Sequence, residues 1–215
     1  MDIIKLLSAE KIIVIVRGVE SGKLIPLADA MYNGGVRFLE ITYCADGHIS
    51  DEETADNIRK LSEHFGGRMH IGAGTVLTEK QVCLTKSAGG EFIISPDTTE
   101  EVIKKTKELG MVSIPGALTP SEITLAHKCG ADFVKIFPAV NLGTEYIKAV
   151  KAPLSHIKLL AVGGVNDKNT ADYLKAGVCG FGIGSNIVDK QLIDNNDFAA
   201  VTKLAKKYVS AVKGD

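Results

Sequence analysis

Two ionisable residues stand inside runs that are otherwise apolar. Lys135 lies in Phe133-Val134-Lys135-Ile136-Phe137, and Glu40 lies in Phe38-Leu39-Glu40-Ile41. Strand alternation places Lys135 on one face with Phe133 and Phe137, and Glu40 on the face of Phe38. An ammonium held among aromatic rings away from water is pushed toward the neutral amine. A neutral lysine can attack a ketone, and the resulting imine accepts electrons as an adjacent C–C bond breaks or forms. A carboxyl buried in the same way acquires a raised pKa suited to moving protons. Two plainer readings stand beside this one: a lysine that snorkels to solvent, and a Glu40 held in a structural ion pair with Arg17 or with Lys135 itself.

Glycine-rich turns offer a second kind of chemistry. Gly163-Gly164 and Gly182-Ile183-Gly184-Ser185 each follow an apolar run and precede a helical stretch, so their backbone N–H groups are expected to bind an anion, phosphate above all. Tight turns alone would also call for glycine there. Gly72-Ala73-Gly74-Thr75 supplies backbone donors and one hydroxyl, suited to a carboxylate or carbonyl oxygen. Metal chemistry is not expected: the five histidines never fall at i, i+2 or i, i+4 from one another, and Cys44, Cys83, Cys129 and Cys179 form no C-x-x-C pair. Lone thiols of this kind fit a reduced, cytoplasmic setting.

The elements that must position these residues can be read from a recurring rhythm. Apolar runs appear at Ile12 to Val16, Val36 to Ile41, Met69 to Ala73, Phe92 to Ile94, Met111 to Ile114, Phe133 to Phe137, Lys158 to Val162 and Gly180 to Ile183. Between them lie segments of helical periodicity, such as Leu24, Leu27, Ala28, Met31 and Val102, Ile103, Thr106, Leu109. Glycines close several of these helices, as in Asn33-Gly34-Gly35, Ala88-Gly89-Gly90, Leu109-Gly110, Cys129-Gly130 and Ala176-Gly177. Asp97-Thr98-Thr99-Glu100-Glu101, Thr119-Pro120-Ser121-Glu122 and Asn166-Asp167-Lys168 mark helix starts. This strand, loop, helix, glycine unit without a linker predicts an α/β chain forming a single (β/α)8 TIM barrel over residues 1–215, with a doubly wound sheet as the alternative. In a barrel the reactive groups sit at the strand C-terminal ends, which here carry Arg17, Glu40, Thr75, Pro96, Lys135 with Phe137, Gly163-Gly164 and Gly184-Ser185.

Composition narrows the partners. With 25 Lys+Arg against 26 Asp+Glu among 215 residues, the formal net charge is -1, which removes the electrostatic basis for binding nucleic acid or an anionic membrane. No apolar stretch approaches the roughly 20 residues of a membrane span, and the start does not read as a signal peptide. An anionic small molecule must therefore be held by a few local donors, Arg17 and Lys135 among them.

Taken together, Gly34-Gly35-Val36 to Leu39-Glu40-Ile41-Thr42, Ile71-Gly72-Ala73-Gly74-Thr75-Val76-Leu77, Ile94-Ser95-Pro96, Ile114-Pro115-Gly116 and Val134-Lys135-Ile136-Phe137-Pro138-Ala139 resemble the bacterial 2-keto-3-deoxy-6-phosphogluconate (KDPG) and 4-hydroxy-2-oxoglutarate (KHG) aldolase family. The resemblance covers nearly the whole chain, in order. It implies a class I aldolase, commonly trimeric, that cleaves a phosphorylated 2-keto acid to pyruvate and an aldehyde such as glyceraldehyde 3-phosphate. It makes Lys135 the Schiff-base lysine, with no cofactor beyond that covalent imine, and Glu40 the general acid/base. Thr75 would contact the pyruvate carboxylate, Pro96 and Phe137 would line the substrate, and Gly163, Gly164, Gly184 and Ser185 would hold its phosphate.

Three positions depart from the KDPG branch: Cys44 stands where an arginine is usual, Ala161-Val162 replaces Pro-Thr, and Val140 replaces a glutamate. A thiol lacks the fork of donors that an arginine gives a carboxylate, and Arg17 is the candidate to take that role. The Arg17-Gly18 and Ala161-Val162-Gly163-Gly164-Val165 segments look more like the phosphogalactonate aldolase branch. A sugar-phosphate isomerase or epimerase with Glu40 as base, and a non-catalytic phosphate binder, are the competing functions.

Overall fold

The computed structural model describes residues 2–214. Nine parallel strand segments form one sheet: β1 (Ile12–Val16), β2 (Phe38–Thr42), β3 (His70–Gly74), β4 (Phe92–Ile94), β5 (Val112–Ile114), β6 (Gly116–Ala117), β7 (Val134–Ile136), β8 (Leu159–Val162) and β9 (Gly180–Ile183). Their order is β5-β4-β3-β2-β1-β9-β8-β7-β6. The two ends of that order are one strand of the chain. Pro115 separates β5 from β6 because it has no N–H to give the ladder, while its carbonyl accepts from Lys135 N at 2.8 Å. The β5 half pairs with β4 and the β6 half with β7. The sheet therefore curves into a TIM-like barrel whose fifth strand is bent in two, and the doubly wound alternative falls.

Among the described residues ten helices accompany the strands: α1 (Ile3–Glu10), α2 (Ser21–Asn33), α3 (Asp51–Phe65), α4 (Glu79–Ser87), α5 (Glu100–Glu108), α6 (Pro120–Lys128), α7 (Ala139–Lys151), α8 (Thr170–Lys175), α9 (Lys190–Asp194) and α10 (Phe198–Lys213). The Thr119-Pro120 start of α6 folds as its sequence indicates: Thr119 and Glu122 make a reciprocal capping box with proline in the first turn. At α5 the N-cap is Thr99, whose hydroxyl bonds Asp97 rather than the helix. None of these helices is long and apolar enough to cross a membrane.

Two apolar layers result. The larger lies between the sheet and its outer helices, and the smaller fills the barrel interior with Leu7, Ile13, Phe38, Phe92, Ile94, Val112, Ile114, Phe133 and Leu160. Leu7 comes from α1, which packs its apolar side into this interior cluster. Phe38 and Phe133, expected on the faces of Glu40 and Lys135, do line the interior.

Some boundaries differ from the sequence expectation. The second strand starts at Phe38 rather than Val36, because the Val36 N–H is used by the Met31 carbonyl at the end of α2. Helices do not follow the two glycine turns directly: α8 begins at Thr170 and α9 at Lys190, each after an intervening turn. Both are a turn or so long, so their dipoles add little at Gly163 or Gly184.

Candidate active site

Glu40 sits on β2 with Ile15 of β1 on one side and Gly72 of β3 on the other in register. Its side chain is 3% exposed. Oε1 accepts from the Thr42 hydroxyl at 3.2 Å, whereas Oε2 is buried without a hydrogen-bond partner. An unpartnered buried carboxyl oxygen is costly, and it is a vacant acceptor for whatever enters. The glycines of β3 explain how the carboxyl fits. A Cβ on Gly74 would lie 1.5 Å from Glu40 Oε1, and one on Gly72 would lie 2.4 Å from the Phe92 ring. Gly72 and Gly74, read from sequence as a source of backbone donors, therefore serve chiefly to leave room.

Lys135 lies on β7 between Gly116 and Leu160 in register and is 7% exposed. Its Nζ stands 4.9 Å from the centroid of the Phe137 ring. Gly116 permits the local turn, since a Cβ there would meet the Pro96 carbonyl oxygen at 2.2 Å. No ion pair within 4.0 Å joins Lys135 to Glu40 or Arg17 to Glu40 among the described residues, so the structural ion-pair reading fails. Burial lowers the Lys135 ammonium pKa, opposed by attraction to Glu40 and reinforced by Arg17. Burial likewise raises Glu40, opposed by Lys135, Thr42 and Arg17. Both shifts favour a neutral amine beside a protonated carboxyl.

Arg17, just past β1, donates from Nη2 to the Thr75 hydroxyl at 3.0 Å. Thr75 itself adopts φ +54, a left-handed conformation that threonine seldom takes, and that places its side chain at the guanidinium. The structure thus brings Arg17 and Thr75 together near Glu40 and Lys135. Pro96 lies at the end of β4 against Gly116, and Phe137 is 40% exposed at the end of β7.

The two glycine turns are linked by a residue that sequence reasoning passed over. Asn186 Nδ2 donates to the Val165 carbonyl at 2.9 Å, joining the 184–188 turn to the 163–169 turn. Gly163 and Gly164 take φ values of +90 and +77, and a Cβ on Gly164 would overlap Val140 at 2.3 Å. Ile187 and Val188 both donate to the Gly184 carbonyl, which winds Ser185 and Asn186 into a single turn. Beside it a cavity of about 200 Å³ is lined by Arg17, Gly18, Lys23, Val188, Lys190 and Asp194. Lys23 sits far from the glycines in sequence and Lys190 follows Ser185 by five residues, and nothing in their local pattern marked them.

The long connection after β2 also holds more than its spacing suggested. Cys44 lies 2.8 Å by Sγ from Asp46 Oδ1 and 2.9 Å from His48 Nδ1. A cavity of about 270 Å³ runs from these residues to Arg17 and Thr42. Histidine-pair spacing carries no trace of this triplet, which holds a single histidine.

A family model described as KDPG and KHG aldolase matches residues 3–204. The chain is 32% identical over 216 residues to the 2-dehydro-3-deoxy-phosphogluconate aldolase of Haemophilus influenzae, covering 99% of this chain and 97% of that one. It is 34% identical over 177 residues to the 2-dehydro-3-deoxy-6-phosphogalactonate aldolase of Escherichia coli, covering 82% and 83%. Among solved structures, the KDPG aldolase of Legionella pneumophila, with pyruvate captured as a covalent carbinolamine, superposes with a TM-score of 0.85 at 29% identity over 96% of this chain and 97% of that one. With a buried lysine and carboxyl at the strand ends of the same barrel, this chain belongs to the KDPG and KHG aldolase family and is an aldolase, a lyase.

Proposed function

We propose that the chain is a class I aldolase that cleaves a 2-keto-3-deoxy-6-phospho sugar acid to pyruvate and glyceraldehyde 3-phosphate. The observation that carries this reading is the juxtaposition in one barrel end of a buried Lys135, its pKa lowered by burial, with a buried Glu40 whose Oε2 has no partner. The Lys135 nitrogen lone pair adds to the C2 ketone. Glu40 delivers a proton to the carbinolamine oxygen, which leaves as water, and a protonated imine remains. Glu40, now ionised, takes the proton of the C4 hydroxyl, and the C3–C4 bond electrons flow into the imine to give the enamine of pyruvate and a free aldehyde. Protonation at C3 and hydrolysis then return Lys135 as an amine. The imine is the electron sink, so no separate cofactor is required by this chemistry.

Arg17 and Thr75 are placed to bind the 2-keto acid carboxylate, and Pro96 and Phe137 to flank the carbon chain. Gly163, Gly164, Gly184 and Ser185 take the phosphate, with the cationic side chains of Lys23 and Lys190 in the adjoining cavity. Unphosphorylated 4-hydroxy-2-oxoglutarate, which lacks the second anchor, is the poorer donor. The likeness to phosphogalactonate as well as phosphogluconate aldolases makes the C4 epimer the second candidate substrate. The assembly we propose is a homotrimer, for which Leu77, Leu118, Leu125, Phe137 and Val140 offer exposed apolar surface. A cytoplasmic, reduced location agrees with four free cysteines.

Incubation with pyruvate and borohydride should add one reduced pyruvate to the protein and none to Lys135→Ala. A mass gain that survives Lys135→Ala, or no gain in the native chain, overturns the imine. Coupled assays of KDPG, its galactonate epimer and KHG rank the substrates.

A further inference from the structure

One cluster of metal-ligating side chains stands among the described residues, and the aldol chemistry does not use it. Cys44, Asp46 and His48 each present one donor atom, and these atoms lie within 4.8 Å of one another. The loop between β2 and α3 builds the cluster locally. Gly47 takes φ +77, and its N–H closes a turn on the Cys44 carbonyl at 3.2 Å. The His48 N–H bonds Asp46 Oδ1 at 3.2 Å, which brings the carboxylate back over the turn. The side chains of residues i, i+2 and i+4 thus converge on one point.

Hydrogen bonding alone serves this convergence poorly. Three contacts are present: Cys44 Sγ to Asp46 Oδ1, Cys44 Sγ to His48 Nδ1, and His48 Nδ1 to Asp46 Oδ1. Only two protons, one on sulfur and one on Nδ1, are available to fill them; both can go to Asp46 Oδ1, which leaves the Cys44–His48 contact with no proton between its atoms. A cation satisfies all three at once.

We propose that Cys44, Asp46 and His48 form a binding site for a borderline divalent cation of the zinc type at the mouth of the barrel. Thiolate, imidazole and carboxylate together select Zn²⁺ or Co²⁺ over Mg²⁺ and Ca²⁺, which take oxygen ligands. Metal–sulfur bonds of about 2.3 Å and metal–nitrogen or oxygen bonds of about 2.0 to 2.1 Å set tetrahedral edges near 3.3 to 3.6 Å. The donors need to open by less than about 1 Å to reach them, and the exposed loop that carries them leaves room for that. Three protein ligands leave a fourth position for water or an oxygen ligand. The cluster lines the same cavity as Arg17 and Thr42, so such a ligand would enter there. The cation also offsets the Asp46 carboxylate that otherwise stands at the entrance for an anion.

The test is a titration of chelator-treated protein with Co²⁺. One equivalent should bind and show a thiolate-to-cobalt charge-transfer band in the near ultraviolet, with visible bands of tetrahedral intensity, and Zn²⁺ should displace it. Cys44→Ser should abolish the charge-transfer band, and His48→Ala should weaken binding by at least about 100-fold, more than outer partners contribute. Cys83→Ser, which alters an exposed thiol on α4, should leave both unchanged. Failure to retain one equivalent of Co²⁺, a complex without the band, or a band that survives Cys44→Ser overturns the site. These readouts do not depend on turnover, so failure of the site and failure of the aldolase reading are told apart.

Discussion

Gly74→Ala tests the space reserved for Glu40. A Cβ at Gly74 would stand 1.5 Å from Glu40 Oε1 and 2.1 Å from Cδ, where ordinary contact begins at 3.4 Å, so the carboxyl must retreat by about 2 Å. It cannot retreat freely, because Glu40 is 3% exposed and the β2–β3 ladder fixes the backbone on both sides. The strain of overpacking a fitted interior costs about 1 to 3 kcal/mol. Misplacing a proton-transferring group by an ångström or more costs about 100-fold or more in turnover. Gly74→Ala should therefore lower kcat by at least about 100-fold while the protein remains folded, and slow borohydride trapping of pyruvate in parallel. Gly22→Ala is the control: nothing lies within 4 Å of its Cβ position and its φ is not left-handed, so it should match the parent or stabilise it slightly within α2. The measurements are steady-state pyruvate release, thermal unfolding and trapping kinetics on both variants. A Gly74→Ala enzyme with parental kcat and parental melting would refute the assignment of Glu40 to proton transfer at that position.

Imine formation should weaken as pH falls through the lowered Lys135 value, because the amine becomes charged, and proton delivery should fail as pH rises through the raised Glu40 value; kcat/KM against pH reports both limbs. Because the native state holds the Glu40 proton above the ordinary carboxyl range, the buried group costs stability that grows as pH rises from there. Glu40→Gln should accordingly melt higher than the parent at neutral pH, with the gap closing toward acid, while losing activity; an equal melting profile across pH would count against the burial argument. Arg17→Ala removes charged hydrogen bonds worth about 1.5 to 3 kcal/mol and should raise KM about 10- to 100-fold with a smaller change in kcat; an unchanged KM would remove Arg17 from carboxylate binding. Light scattering should give the mass of three chains, and Val140→Asp with Leu125→Asp should lower it.

Sequence periodicity located the strands well where they are uninterrupted. Ile12–Val16, Phe92–Ile94 and Gly180–Ile183 have the expected bounds, since short apolar runs flanked by turns favour strands. It missed the bend at Pro115, because a single apolar run there serves two neighbours with different registers. At the site, Lys135 and Glu40 were legible because ionisable residues inside apolar strands contradict their surroundings. Lys23 and Asn186 were not, because long-range pairing through loops leaves no periodic trace. The roles of Gly72 and Gly74 were misread for the same reason: a glycine that clears space for a side chain on the next strand looks, in sequence, like one that exposes its own amide.

The dry setting that shifts both ionisable groups depends on parts of the fold remote from them. Glu40 and Lys135 titrate abnormally because burial outweighs their mutual attraction. Burial at that depth requires the barrel to be filled beneath them, and the filling is Phe38, Phe92, Phe133 and Leu160 together with Leu7 from α1. Helix α1 is fixed there by its own ends: Asp2 accepts from Ile4 and Lys5, and Lys11 closes the helix in a left-handed turn onto the Leu7 carbonyl. A segment with no chemistry of its own thus excludes water from under the carboxyl and the amine. The net charge of -1 fits this arrangement, since the perturbation of the two groups comes from where they are buried and not from the field of the whole chain.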